Sequence, residues 1–124
     1  MTLSELYAEI DGDFEQATKV LRIEKLIDKH IRRLPANTIF AELDEAGKTM
    51  DGARLFESAH AIKGVCSNLG LVKLSNLAAE ICDDFRPGNA RKYTDDQIRQ
   101  KISEADALFE KAKAGIAKYE ASAQ

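Results

Sequence analysis

The feature that constrains the fold most is a run of apolar residues near the C-terminus that alternates steps of four and three positions. It consists of Ile98, Ile102, Ala105, Phe109, Ala112, Ile116 and Tyr119. This spacing places all of them on one side of an α-helix, whereas a half-buried β-strand would alternate apolar and polar residues. The run extends over about six turns at 3.6 residues per turn. It predicts a long amphipathic helix that packs against other helices along its length.

The first half of the chain carries the same helical spacing. Thr2 and Glu5 match a capping box, which predicts a short first helix over about residues 2–10. Residues 13–47 are apolar at helical intervals on both sides of Pro35, which predicts one kinked helix or two collinear helices. The predicted inward positions of this segment are Phe14, Ala17, Val20, Ile23, Ile27, Ile31, Leu34, Ile39, Leu43 and Ala46.

Two more helices are predicted between this segment and the last helix. Asp51 is a plausible N-cap for a helix that runs to about Leu69, before a Gly that can end it. Its apolar stripe is Leu55, Ala59, Ile62, Cys66 and Leu69. The next helix carries Leu74, Leu77, Ala78, Ile81 and Phe85 and ends before Pro87. Thr94 and Gln97 form a second capping box that begins the last helix.

These segments predict an all-α protein with a single domain over residues 1–124. Long amphipathic helices with short connections pack most economically as an up-down antiparallel four-helix bundle, here over about residues 13–120. The short first helix is expected to cover one end of this bundle. The last four residues, 121–124, are expected to fray.

Composition and charge exclude several classes of function. The net charge is −3 and both halves mix acidic with basic residues, which gives no basic surface for nucleic acid. No stretch approaches the roughly 20 apolar residues of a membrane span, and the N-terminus does not resemble a signal peptide, so we expect a cytoplasmic protein. Cys66 and Cys82 have no metal-ligand spacing and are predicted to be reduced, partly buried thiols.

One helix face carries residues for which a core has no use. At 100° per residue, His60 projects almost opposite the apolar stripe of its helix, which predicts an exposed imidazole. Lys63, Gly64, Ser67 and Phe56 are predicted to share this face. A neutral imidazole is a nucleophile near pH 7. Lys63 could offset the charge of a phosphoryl group on the ring, Gly64 could leave room for it, and Ser67 could donate a hydrogen bond to it.

The segment from Ala59 to Gly70 closely resembles the signature of histidine-containing phosphotransfer (HPt) domains. That signature is an Ala-His-x-Leu/Ile-Lys-Gly core followed by a Leu-Gly pair, which here is Leu69-Gly70. In helix pattern the resemblance extends over about residues 13–116. It implies a phosphorelay intermediate in which His60 accepts a phosphoryl group from a receiver-domain phosphoaspartate and passes it to another receiver domain.

The resemblance also implies partners. They would be receiver domains of a hybrid sensor histidine kinase and of a response regulator, with Mg²⁺ bound by the receiver and no cofactor on this chain. The chain would act as a phosphoryl carrier rather than as an enzyme with its own nucleotide site, and we expect a monomer. Docking candidates around the histidine are Phe56, Ala53, Ala61 and Val65.

One position departs from the family pattern. Many members have Leu-Glu where this chain has Ile81-Cys82, so no carboxylate or amide is available there to bond the second imidazole nitrogen. The sequence leaves the partner of that nitrogen open.

Two other functions are compatible with parts of the sequence. Glu57 and His60 form a Glu-x-x-His pair of the kind found in di-metal bundles, but Ile27 stands where His30 would need a second Glu. His30 itself matches no motif and is expected to be a surface or seam-edge residue. The other alternative is a noncatalytic interaction module that keeps the bundle and has lost phosphotransfer.

Overall fold

The structure, a computed structural model, describes residues 1–122, and all of the regular secondary structure in that range is helical. It contains α1 (Leu3–Glu9), α2 (Phe14–Leu21), α3 (Glu24–Arg33), α4 (Ile39–Thr49), α5 (Gly52–Asn68), α6 (Val72–Asp84) and α7 (Asp95–Ser122), with a 3-10 turn at Leu34–Ala36. None of the helices in residues 1–122 is long and apolar enough to cross a membrane.

Helices α4 to α7 form the main packing unit. α5 packs on α4 and α6, and α7 packs on the same two helices, so that each of the four has two neighbours in this group. The predicted seam of α7 is buried along its whole length, from Ile98 to Tyr119. Ala59 and Ala78 are buried on α5 and α6, where small side chains allow helices to approach closely. The prediction of a helical bundle is confirmed.

The segment predicted as one kinked helix or two collinear helices is instead three α-helices and a 3-10 turn. The first break is at Arg22, whose backbone has φ 73°, and the second is at Leu34–Ala36 around Pro35. Pro35 was a visible signal for the second break, but no Gly or Pro marks the first. The break also moves two predicted core residues to the surface, since Val20 is 41% and Ile23 54% exposed.

The caps of the helices match the prediction closely. Thr2 and Glu5 form the reciprocal hydrogen bonds of a capping box, and so do Thr94 and Gln97. The Oδ1 atom of Asp51 accepts from the backbone N–H of Arg54 and caps α5. α7 continues through residues 121 and 122, contrary to the expected fraying, and the other two residues of that expectation lie outside the described part.

The end of α5 is fixed by α1 and the start of α2. Gly70 has φ +69°, and a Cβ atom there would lie 2.2 Å from the carbonyl oxygen of Asp13. The Asp13 N–H donates to the Gly70 carbonyl at 2.7 Å, and the buried Tyr7 hydroxyl donates to the Leu69 carbonyl at 2.7 Å. Burial raises the pKa of Tyr7, so its hydroxyl remains a donor. These contacts hold the C-terminal half of α5 in place.

The connection between α6 and α7 is fixed by one buried carboxylate. The Asp84 side chain accepts from the backbone N–H groups of Lys92 and Tyr93 at 2.6 and 3.2 Å, and from Nε of Arg91 at 3.0 Å. Burial alone would raise the pKa of Asp84, but these hydrogen bonds outweigh it and lower the pKa. The loop is thereby anchored to the last turn of α6.

Candidate functional site

The candidate site is the outward face of α5. Leu55, Ala59, Ile62 and Cys66 are buried on its inner side, as the apolar stripe predicted. His60 is exposed, which confirms the predicted orientation of the imidazole. The two flanks of this face differ, because α6 lines one of them and α3 lines the other.

The Nδ1 atom of His60 faces a thiol on the neighbouring helix. It lies 3.9 Å from Sγ of Cys82, which is fully buried on α6. This is the residue at which the chain departs from the family pattern, and the thiol occupies the position left open by the sequence. Because Nδ1 faces α6, the structure provides a fixed neighbour for one ring nitrogen and places no hydrogen-bond partner from residues 1–122 on the other.

Arg86 and Phe56 complete the α6 flank. Nη2 of Arg86 lies 3.9 Å from the Cys82 sulfur and 3.1 Å from Oδ1 of Asp83. Its guanidinium lies 5.4 Å from the centre of the Phe56 ring, which in turn is stacked on the His60 ring at 5.9 Å between ring centres. Phe56 is therefore half-buried between two polar groups rather than freely exposed.

Lys63 lies on the same face of α5 as His60, and no acidic side chain in residues 1–122 pairs with it. It is half-buried, and its ammonium makes no hydrogen bond or ion pair with any residue in 1–122. Burial raises the pKa of the Cys82 thiol, and the positive charges of Arg86 and Lys63 act in the opposite direction.

Gly64 leaves open space beside the histidine. A Cβ atom added there would meet no atom of the described residues within 4 Å, apart from its own helical backbone. Packing within this chain therefore gives no reason for a glycine in the middle of α5. Its presence costs up to about 1 kcal/mol of helix stability relative to Ala.

Ser67 is less available than the other predicted residues. Its Oγ lies 2.6 Å from Oγ of Ser75 on α6, so the hydroxyl already has a partner. Seven residues beyond His60, it is also about 10 Å farther along the helix axis at 1.5 Å per residue. A phosphate contact from Ser67 would require both the distance and the existing bond to change.

The remaining docking candidates surround the histidine with small or apolar surface. Ala53 is exposed, and Ala61 and Val65 are half-buried. Val65 lines a groove that continues onto α3, where His30 is exposed, as predicted for a surface residue. The face is open between these residues and Gly64.

The side chains that could bind a metal ion are not grouped together in residues 1–122. No group of three or more His, Cys, Asp and Glu side chains there is placed to hold a metal ion. Glu57 and His60 are both exposed rather than directed into the bundle.

Comparison with known families gives a match to the model of the Hpt domain over residues 3–114. The chain belongs to the Hpt domain family. Hpt domains are histidine-containing phosphotransfer modules of two-component signalling, which carry phosphoryl groups and interact with receiver domains. No curated protein and no solved structure matches the chain.

Two side chains at the histidine of this Hpt domain were not predicted as site residues. Cys82 and Arg86 reach His60 and Phe56 only because α6 packs on α5. The departure from the family pattern at Ile81-Cys82 was a signal for the first, but the contact itself depends on tertiary packing. The thiols of Cys82 and of Cys66, on the inner side of α5, are both free and buried. Burial raises the pKa of the Cys66 thiol to about 12.

Proposed function

We propose that this protein is a phosphorelay intermediate that carries a phosphoryl group on His60. The donor is the phosphoaspartate in a receiver domain of a hybrid sensor histidine kinase, and the acceptor is the aspartate of a response regulator. The observation that carries the proposal is the environment of His60, an exposed imidazole with one nitrogen against Cys82 and open space at Gly64.

The proposed chemistry uses the two ring nitrogens differently. The proposed tautomer carries the proton on Nδ1, where it can be donated to the Cys82 sulfur 3.9 Å away, and this leaves the Nε2 lone pair free toward solvent. Nε2 attacks phosphorus as the bond from phosphorus to the aspartyl oxygen breaks, and the proton stays on Nδ1. In the second step, a carboxylate oxygen of the next receiver attacks phosphorus and the nitrogen–phosphorus bond breaks.

Lys63 supports the charge of this intermediate. A phosphoryl group on Nε2 is dianionic near neutral pH, and the nearest unpaired cation on the same helix face is the Lys63 ammonium. Gly64 gives the group and the partner room to approach. Ser67 remains a candidate for a phosphate contact, provided that its bond to Ser75 is exchanged.

The partner is proposed to supply the rest of the site. The receiver brings the aspartate and the Mg²⁺, and it docks on the surface formed by Phe56, Ala53, Ala61 and Val65. We further propose that α4 to α7 run as an up-down antiparallel four-helix bundle, that the domain spans residues 1–124, and that the protein acts as a cytoplasmic monomer.

Phosphotransfer profiling tests the proposal. Receiver domains of the source organism are phosphorylated with labelled phosphate and mixed with wild type, His60→Gln and His30→Gln. We expect one or more receivers to label wild type and His30→Gln, but not His60→Gln. If no receiver labels the wild type, the noncatalytic interaction module becomes the better account.

A further inference from the structure

The α3 flank of the site combines features that the proposed chemistry does not use. A groove of about 220 Å³ lies between α3 and the second half of α5. Its walls are apolar, formed by Leu21, Leu34, Val65 and Leu69, and its rim carries His30 and Arg33. None of the residues that line it is acidic.

The outer face of α3 extends this groove toward its N-terminal end. At 100° per residue, Leu26, His30 and Arg33 fall within about 60° of one another on α3. Leu26 is 37% exposed, and Ile23, which precedes the helix, is 54% exposed. Large apolar side chains are thus presented to solvent beside the groove, where a monomer gains nothing from them.

Positive charge without a partner is concentrated on α3 and at Arg22, which ends α2 just before it. Arg22, Lys25, Lys29 and Arg33 make no ion pair with any residue in 1–122, although other basic residues such as Lys111 and Lys118 do. Asp28 does not neutralise them, because it bonds to Arg32 and to the Tyr119 hydroxyl on the α7 side of the helix. This basic cluster is difficult to recognise from the sequence, because Glu24 and Asp28 lie between its members along the chain.

The groove lies within reach of any partner that covers His60. Asn68, which lines the groove, is eight residues beyond His60, or about 12 Å along the axis at 1.5 Å per residue. A protein interface of standard size buries about 800 Å² per partner, which corresponds to a disc of about 16 Å radius. A receiver with its aspartate at His60 would therefore also cover the groove.

We propose that this groove is a specificity contact for the receiver domain, and that it accepts an apolar side chain flanked by carboxylates. The inference rests on the proposed function, and it adds a structural basis for the choice between receiver domains. The apolar walls fit the side chain, and the unpaired cations of α3, with Arg22 before it, fit the carboxylates. An anionic membrane fits less well, because the groove is concave and the whole chain carries a net charge of −3.

The test compares Arg33→Glu and Leu26→Ser with the control Arg99→Glu. Arg99 is in the first turns of α7, 20 residues before Tyr119, whose hydroxyl donates to Asp28 on α3, and its only ion pair in residues 1–122 is the exposed one with Asp96. With the receiver that labels the wild type best, we expect Arg33→Glu to lower the transfer efficiency about tenfold at low salt. The loss should shrink at high salt, because surface charges are then screened. Leu26→Ser should lower it several-fold at both salt concentrations, and Arg99→Glu should leave it unchanged.

Two further measurements separate docking from chemistry and from folding. Phosphoramidate, a small phosphoryl donor that needs no docking surface, should label His60 equally in all variants, and thermal unfolding should show that they are folded. Replacing an acidic residue of the receiver with Lys should restore transfer to Arg33→Glu. Unchanged transfer in both Arg33→Glu and Leu26→Ser would overturn the inference while leaving the proposed function standing.

Other occupants of the groove would also overturn it. One such outcome is sedimentation of the wild type, but not Arg33→Glu, with vesicles of equal parts phosphatidylserine and phosphatidylcholine. Another is a dimer in analytical ultracentrifugation that Leu26→Ser dissociates. A wild type that no receiver labels at all would instead contradict the proposed function, before the variants are compared.

Discussion

At the scale of single residues, the site depends on charge compensation by Lys63. Its ammonium has no partner in residues 1–122, so it is free to meet a phosphoryl group. We expect Lys63→Ala to slow transfer or shorten the phosphohistidine lifetime about tenfold, which corresponds to about 1.4 kcal/mol. The unfolding temperature should not change. Labelling time courses measure both quantities, with Lys48→Ala, an exposed lysine on α4, as the control. Unchanged transfer and lifetime would contradict this role of Lys63.

Cys82 is expected to fix which nitrogen of His60 carries the proton. Its sulfur is the partner of Nδ1 in the described chain, and Cys82→Ala removes it. Sulfur is a weak acceptor, so we expect transfer to slow only about three- to fivefold. The ¹⁵N chemical shifts of the imidazole should show a smaller population with the proton on Nδ1. Cys66→Ala, which removes a buried thiol on the inner side of α5, is the control. Identical shifts in Cys82→Ala and wild type would exclude this role.

The residues of the site differ in how far sequence could predict them. The orientation of His60 follows from the phase of one helix, because the buried stripe of α5 fixes its opposite face. The contacts of Cys82 and Ser67 depend on how α6 lies against α5, which helical phase alone does not define. The same holds for Phe56, whose burial under Arg86 depends on the end of α6.

Among the helices, α5 is less stable with Gly64 at its middle than it would be with an alanine there. Gly64 costs helix stability, and no packing contact in residues 1–122 requires it. We therefore expect Gly64→Ala to raise the free energy of unfolding by about 0.5–1 kcal/mol and to slow transfer from the receiver at least several-fold. Denaturant unfolding and labelling rates measure the two effects.

A buried glycine provides the matched control for this substitution. A Cβ atom at Gly115 on α7 would lie 2.5 Å from Cγ2 of Ile10, so Gly115→Ala should lower stability and leave the transfer rate of the folded protein unchanged. A Gly64→Ala variant that transfers as fast as wild type would show that the open space at Gly64 is not used.

Some helix boundaries can be predicted from the sequence and others cannot. The boundaries of α1, α5 and α7 follow from capping residues whose hydrogen bonds are local. The break between α2 and α3 is different, because Arg22 adopts φ 73° without a glycine and the apolar rhythm continues through Val20 and Ile23. The tertiary packing of two short helices breaks the apolar pattern at this point, and no residue in the local sequence indicates the break.

At the scale of the whole molecule, one carboxyl pair links stability to pH. Asp106 on α7 faces Asp44 on α4, with Glu110 and Lys113 nearby. Burial, the hydrogen bond to Asp44 and the negative charges of Asp44 and Glu110 raise the pKa of Asp106 to about 7, and Lys113 opposes them. The folded state therefore binds more protons than the unfolded state between about pH 4 and pH 7, and the free energy of unfolding should fall as the pH rises through this range.

Asp106→Asn tests this linkage. It removes the titrating group, so the decrease in stability above about pH 5 should flatten, and the variant should be more stable than wild type at pH 8. The expected gain is of the order of 1 kcal/mol, because the pair is only partly buried and solvent screens it. Denaturant midpoints from pH 5 to pH 8 measure the effect. Parallel pH profiles for wild type and Asp106→Asn would contradict the assignment.

The proposed role of His60 as the phosphoryl carrier is tested by measuring transfer from a phosphorylated receiver to wild type, His60→Gln and His30→Gln side by side. We expect acid-labile label on wild type and His30→Gln, with a ³¹P signal from phosphorus bonded to Nε2, and none on His60→Gln. Label that persists on His60→Gln, or a phosphoryl group found on any other residue, would contradict it.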